Sequence, residues 1–211
     1  MPPFSSHNTR ASKRHHNRQA ILHAARAVFA ERGFGGTTVR DIIRRTDLAT
    51  GTFYNYFDSK DEVFAALNET IGGGLREKLS HARTSALDFQ SFVENNYRVY
   101  FGYFATHREN YFLMRSNRGR EGGNQVMQGP QVQAGVAEMS ADIRQAIAAG
   151  VLPAMDADYL AASLAGIAFG VLDIMMERDP IDPEAATLFA THLAIYGIGG
   201  LSQMRKDKGE D

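Results

Sequence analysis

Apolar residues recur along this chain at three- and four-residue spacing, the period of amphipathic helices. From about Asn17 to Arg32 they are Ile21, Leu22, Ala25, Val28 and Phe29; Gly33 stops that helix and Phe34 packs back against it. Val39, Ile42 and Ile43 mark a short helix, Phe53 and Phe57 a second, and Leu48 plugs the angle between them. The next helix starts near Ser59 and carries Val63, Phe64, Leu67, Ile71 and Leu75, with Gly72, Gly73 and Gly74 interrupting it. Residues 87–107 predict an aromatic helix through Phe89, Phe92, Val93, Tyr97, Tyr100, Phe101 and Phe104, followed closely by Tyr111, Phe112, Leu113 and Met114. Residues 118–129 hold four glycines and read as a loop or frayed helix end. Val132, Val136, Met139, Ile143 and Ile147 mark a helix ending at Gly150, and Leu188, Phe189, His192, Leu193 and Tyr196 mark a last one after Pro180 and Pro183. The expected class is all-α, about nine helices, with a three-helix head followed by a larger helical body.

The run 159–176 is apolar enough to raise a membrane span, at the lower length limit for one. Asp173 lies well inside it and many of its apolar residues are small alanines and glycines. The expectation is a helix buried on more than one side, by its own fold and by a partner subunit, with no membrane contact. Gly166 and Gly170 allow close helix approach there.

The head's local signals converge on residues 38–60. Thr38 and Asp41 can form a capping box, in which each side chain reaches the other's backbone amide. Thr50 is expected to cap the second short helix, and Ser59 with Glu62 to make another box with Lys60 in the first turn. Arg40, Arg44 and Arg45 stay outside the first short helix. Thr52, Tyr54, Asn55 and Tyr56 stay outside the second. Short polar groups near a helix start can reach base edges, while tyrosine hydroxyls, Lys60 and helix-start amides can hold phosphates. A small helical hairpin with a solvated polar face is the other reading of the same pattern.

Charge sharpens the contrast between head and body. Residues 1–60 carry ten Lys and Arg against four acids, a balance of +6, although the whole chain is at −1. A basic head on an acidic body suits a polyanion-binding module fused to something that need not touch the polyanion. The chain has no cysteine, which excludes disulfides, thiolate zinc sites and cysteine nucleophiles. His15 and His16 are adjacent rather than four apart, against a helical metal site. Seven histidines show no H-E-x-x-H, and there is no G-x-S-x-G elbow or strand-linked glycine fingerprint, so no enzyme and no cofactor are expected. No signal-like apolar core opens the chain, and a cytoplasmic location is the expectation.

Residues 38–60 resemble the DNA-binding motif of the tetracycline-repressor (TetR) family, approximately D-I-A-x-x-A-G-V-S-x-G-T-x-Y-x-x-F-x-S-K-E-x-L. Asp41, Ile42, Gly51, Thr52, Tyr54, Phe57, Ser59 and Lys60 stand at matching positions, with Asp61 and Glu62 close to the acidic pair. Asp47 replaces the usual turn glycine, Ala49 a capping serine, and Thr50 stands where a basic residue is common. The resemblance covers the first 65 residues or so closely. It implies a homodimeric transcriptional regulator, a repressor that leaves a pseudo-palindromic operator in double-stranded DNA on binding a small hydrophobic effector. The DNA contacts it implies are Arg10, Lys13 and Arg14 in the arm, then Thr38, Arg40, Thr50, Gly51, Thr52, Tyr54, Asn55, Tyr56 and Lys60. The arm residues can equally be read as a solvated tail. For the effector, the resemblance favours a pocket lined by Tyr97, Tyr100, Phe101, Phe104 and Met114, where aromatics could otherwise simply fill a core. The alternative function is a DNA-binding scaffold or nucleoid-type protein without an effector. The organisation expected is a flexible basic arm 1–16, a helix-turn-helix domain 17–60, a ligand-binding and dimerisation domain 61–204 and a polar tail 205–211. Gly72–Gly74 is either a hinge between head and body or a local kink.

Overall fold

A computed structural model describes residues 7–118 and 130–207 of the chain. Nine helices and no strands occur among them. They are α1 (His7–Arg32), α2 (Val39–Ile43), α3 (Thr50–Phe53), α4 (Lys60–Thr84), α5 (Phe89–Thr106), α6 (Arg108–Arg118), α7 (Pro130–Ala148), α8 (Ala157–Glu177) and α9 (Pro183–Asp207). Of the loop expected over 118–129, Arg118 is the last residue of α6 and 119–129 lie outside the described residues, as do the first six residues of the arm and the tail beyond 207.

The described chain divides into two compact units. The head unit takes 7–71 and 109–118, and the body unit takes 72–108 and 130–207. The division in chain order thus falls between Ile71 and Gly72, inside α4, and α6 groups with the head apart from its first residue.

In the head, Ile21, Leu22, Ala25, Val28 and Phe29 of α1 are buried with Phe34, Ile42, Ile43, Phe53, Phe57, Val63, Phe64 and Leu67. Val39 and Leu48, expected inside, are half-buried. Three rings knit the centre: Phe29 stacks on Phe34 at 5.4 Å between centroids, and Phe64 meets Phe29 at 5.5 Å and Phe34 at 4.9 Å edge-on. Gly33 ends α1 with a left-handed φ of 68°, and its N–H donates to the Phe29 carbonyl at 2.9 Å. That conformation crowds a Cβ, so glycine is the residue that terminates the helix cleanly.

α1 begins at His7, within the segment expected to be a flexible arm. The stretch from His7 to His16 is polar but contains no proline and no glycine. Once the apolar half of α1 is packed, each added residue costs little backbone order and gains one hydrogen bond, so the helix propagates backwards. The arm's polarity, which suggests a coil, only keeps those turns in water.

In the body, α5 packs on α9 and α8, and α8 on α7 and α9. α8 buries Ala157, Ala161, Leu164, Ala165, Ala168, Leu172, Met175 and Met176, which is a stripe at helical spacing. It is the one described helix long and apolar enough to cross a membrane by length and composition. Within this unit it is instead a packed helix capped by Asp156, whose carboxylate accepts from Asp158 N at 2.9 Å and Tyr159 N at 3.0 Å. α4 runs unbroken through Gly72–Gly74, with Leu67, Ile71 and Leu75 buried on either side of the turn that glycine weakens. α9 bends at Gly197 and continues to Asp207, three residues into the expected tail.

Candidate nucleic-acid interface

The helix-turn-helix is assembled by short-range hydrogen bonds that the local sequence makes available. The Thr38–Asp41 box closes as expected. Asp41 N donates to Thr38 Oγ1 at 3.2 Å, Thr38 N donates to Asp41 Oδ2 at 3.0 Å, and the Thr38 hydroxyl donates to the same oxygen at 2.6 Å. Those donors, the Thr38 hydroxyl first and its amide second, hold the Asp41 carboxyl below the ordinary range for an aspartate. Arg32 adds an ion pair to Asp41 at 2.9 Å, tying α1 to α2. Thr38 is thus occupied as a cap, and the base or phosphate contact implied for its side chain would compete with that duty.

The turn between α2 and α3 is organised by Thr46. Its hydroxyl donates to the Ile43 carbonyl at 2.9 Å and accepts from Leu48 N at 3.2 Å, so one side chain satisfies a helix-end acceptor and a turn donor. α3 begins at the residue expected to cap it, one position earlier than expected. Ala49 holds the cap position without a side-chain bond, and Thr50 is the first helical residue. At the start of α4, Ser59 Oγ accepts from Glu62 N at 3.2 Å, but Glu62 reaches back to Asp58 N at 2.6 Å rather than to Ser59.

Phe53 and Phe57 point inward as the four-residue spacing requires, 6.0 Å apart and buried. Thr50, Gly51, Tyr54 and Asn55 are exposed, and Thr52 and Tyr56 half-exposed, on the other side of α3. Arg40 on α2 and Arg44 at its C-cap are exposed, whereas Arg45 is drawn to Glu31 of α1, with Nη1–Oε1 at 2.7 Å. Arg10, Lys13 and Arg14 are exposed along the first turns of α1. Asn17 Nδ2 donates to the Tyr56 hydroxyl at 3.1 Å, which ties the end of the α3 segment to α1.

Lys60 has a different task from the phosphate grip expected of it. Its ammonium donates to the carbonyls of Phe34 at 2.9 Å and Thr37 at 2.7 Å, and it lies 4.5 Å from the centre of the Phe34 ring. Thr37 is buried beside it, with its hydroxyl on the Gly33 carbonyl at 2.7 Å. The loop from α1 to α2 carries carbonyls that no helix satisfies, and Lys60 supplies their donors. Lys60→Met keeps the alkyl stem but strands both oxygens. It should cost the head about 1–3 kcal/mol and lower its thermal midpoint; an unchanged midpoint would show that water replaces the ammonium freely.

The aromatic set assigned to an effector divides. Tyr97, Tyr100, Phe101 and Phe104 lie together on α5 in the body, all buried. Tyr97 stacks on Phe101 at 5.8 Å, and Tyr100 meets Phe104 edge-on at 5.1 Å and Phe169 at 6.0 Å. The Tyr97 hydroxyl donates to the Leu164 carbonyl at 3.2 Å, and burial pushes its phenol well above the usual tyrosine range. Met114 is half-buried on α6 and belongs to the head unit. No three His, Asp or Glu among the described residues are grouped to hold a metal ion.

Comparison with known proteins agrees with the geometry. Residues 21–67 match the family model for "Bacterial regulatory proteins, tetR family". The transcriptional repressor KstR2 of Rhodococcus jostii is 33% identical over 86 residues, 39% of this chain and 42% of that repressor's length. The chain therefore aligns with less than half of that relative. Among solved structures, a TetR-family transcriptional regulator from Pectobacterium atrosepticum is 26% identical with a TM-score of 0.66, covering 90% of this chain and 96% of its own. A SmeT–triclosan complex is 27% identical with a TM-score of 0.66, covering 85% and 90%. The helical fold of the described residues and the helix-turn-helix between Thr38 and Lys60 thus find their counterparts together: residues 21–67 match the tetR family of bacterial regulatory proteins, and the described fold is similar to that of solved TetR-family transcriptional regulators.

Proposed function

We propose that this protein is a homodimeric, non-enzymatic transcriptional regulator that works in the cytoplasm as a repressor, binds a pseudo-palindromic operator and leaves it on taking up a small hydrophobic molecule. The observation that carries the reading is the polar outer side of α3, flanked by the exposed Arg40 and Arg44 and by the basic turns of α1. Thr50, Gly51, Thr52 and Asn55 are the residues for base edges. Arg40, Arg44, Tyr54 and Tyr56 hold phosphates, with Arg10, Lys13 and Arg14 extending the contact. Support for dimerisation comes from α8 and α9, which leave Tyr159, Ile174, Leu188, Phe189, Tyr196 and Ile198 exposed, more apolar surface than an isolated body needs. Leu164, in contrast, is in the protomer's own core.

The effector reading draws support from the triclosan complex of SmeT and sets the ligand against Tyr97, Tyr100, Phe101 and Phe104. Close stacking of those four rings favours a second reading, a DNA-binding protein without an effector, since a filled core leaves a ligand to displace side chains. Release of bound operator by an apolar compound separates the two.

Selection from random duplexes tests the DNA reading. Enriched sites should be pseudo-palindromes with half-sites about 10 bp or a multiple apart. The Arg40→Ala, Arg44→Ala double variant should lower the slope of log affinity against log salt by about two units. Failure to enrich any sequence would overturn the proposal.

A further inference from the structure

The turn that follows α3 is fastened to α1 at two neighbouring points. Arg18 lays its guanidinium 5.1 Å from the centre of the Phe57 ring, and Asn17 Nδ2 donates to the Tyr56 hydroxyl at 3.1 Å. Phe57 is buried, and the amides of Tyr56 and Phe57 both donate to the Phe53 carbonyl, at 2.9 and 3.1 Å, so the backbone that carries Tyr56 is fixed. Asn17 stands four residues before Ile21, at the head of a stripe that continues through the buried Ile21, Ala24 and Val28. An apolar side chain there would extend the packing. Asn17 is polar instead, and its one side-chain hydrogen bond among the described residues goes to Tyr56.

The direction of that bond decides what the phenol can do. An amide nitrogen only donates, so the Tyr56 oxygen accepts and keeps its own proton for another partner. Among the described residues no protein group takes that proton. Tyr56 is half-exposed, so the acceptor comes from outside the chain. Phosphate oxygens only accept. A phenol that gave its proton to Asn17 would have none to offer them, whereas one that accepts from Asn17 has its proton turned away from α1 and free to donate.

We infer that Asn17 is a positioning residue for DNA binding: without touching the duplex, it holds the Tyr56 hydroxyl with its proton free for a phosphate oxygen. The inference deepens the DNA-binding reading and rests on it.

The test takes the full chain, a duplex enriched by the selection above, and the cycle of Asn17→Ala, Tyr56→Phe and the double variant. Tyr56→Phe keeps the ring and removes the donor, and should weaken binding about tenfold, the loss of one charge-assisted hydrogen bond. Asn17→Ala should weaken it by a smaller factor, on the order of threefold, because water can bond the phenol in place of Asn17. The double variant should bind as Tyr56→Phe does, since nothing is left to position once the hydroxyl is gone. A neutral donor releases no counterion, so the slope of log affinity against log salt should stay at the parent's value in all three. A side chain that only braced α1 would act differently: its loss would lower the thermal midpoint and draw the cations of α1 off the phosphates, and the slope would fall. Effects that multiply in the double variant, a reduced salt slope for Asn17→Ala, or binding by Asn17→Ala equal to the parent's would each overturn the inference alone. A parent chain that enriches no duplex would overturn the DNA-binding reading, and this inference with it.

Discussion

Arg83→Met should destabilise the body unit by about 3–5 kcal/mol, with a fall in thermal midpoint on the order of 10 °C. The Arg83 side chain is 2% exposed and sits on α4 with its Nη2 2.7 Å from Asp142 Oδ2 on α7. Its Nε donates to the same oxygen at 2.9 Å, its Nη1 donates to Asn96 Oδ1 on α5 at 3.0 Å, and Ser80 Oγ donates to Asp142 at 3.3 Å. One guanidinium thus holds three helices and neutralises a carboxylate that is itself mostly out of water. Removing it leaves Asp142 charged and under-solvated and Asn96 without its donor. The penalty comes from the stranded groups rather than from the attraction lost, so the Arg83→Met, Asp142→Leu double variant should recover much of the stability. Thermal unfolding of both variants is the measurement; a single variant as stable as the parent would mean that water reaches Asp142.

Phe29→Ala should be as damaging in the head, at about 3–5 kcal/mol. Phe29 is fully buried and touches both Phe34 and Phe64, so its loss opens a cavity at the point where α1, the α1–α2 loop and α4 meet. A unit this small has little surplus core, and a loss of that size is a large share of a domain's typical stability of about 5–15 kcal/mol. Hydrogen exchange resolved by segment should show faster exchange in α1–α3 while α5, α8 and α9 keep their protection. Protection lost evenly over the chain would mean that head and body unfold as one.

Features legible in the sequence were those written in near neighbours. The Thr38–Asp41 box lies within four residues, and Phe53 and Phe57 declare their inward face by spacing alone. Gly33 and Gly150 end α1 and α7 where left-handed angles of 68° and 74° call for glycine. Roles set by distant partners were hidden. Lys60 reads as a phosphate-holding cation until the loop carbonyls of Phe34 and Thr37 fold against it. Arg83 lies in an ordinary stretch of helix, and only the arrival of Asp142 and Asn96 distinguishes it. Asn17 and Tyr56, 39 residues apart, carry no local sign of their bond. The start of α1 was hidden for another reason: helix propagation out of a packed segment depends on the packing of residues 21–29, not on the composition of the polar turns themselves.

The glycines of α4 bear on how this helix would come apart. A Cβ at Gly73 or Gly74 would meet no atom within 4 Å, so neither glycine is there for lack of room. Alanine at both would favour the helix by roughly 1–2 kcal/mol, because glycine has more backbone freedom to lose on ordering. That deficit is concentrated in one turn, next to the point where α4 passes from one compact unit to the other. Helices ordinarily fray from their ends. In a helix of 25 residues with such a turn near its middle, the helix–coil balance is tilted furthest towards coil at the centre, and melting has a second place to begin.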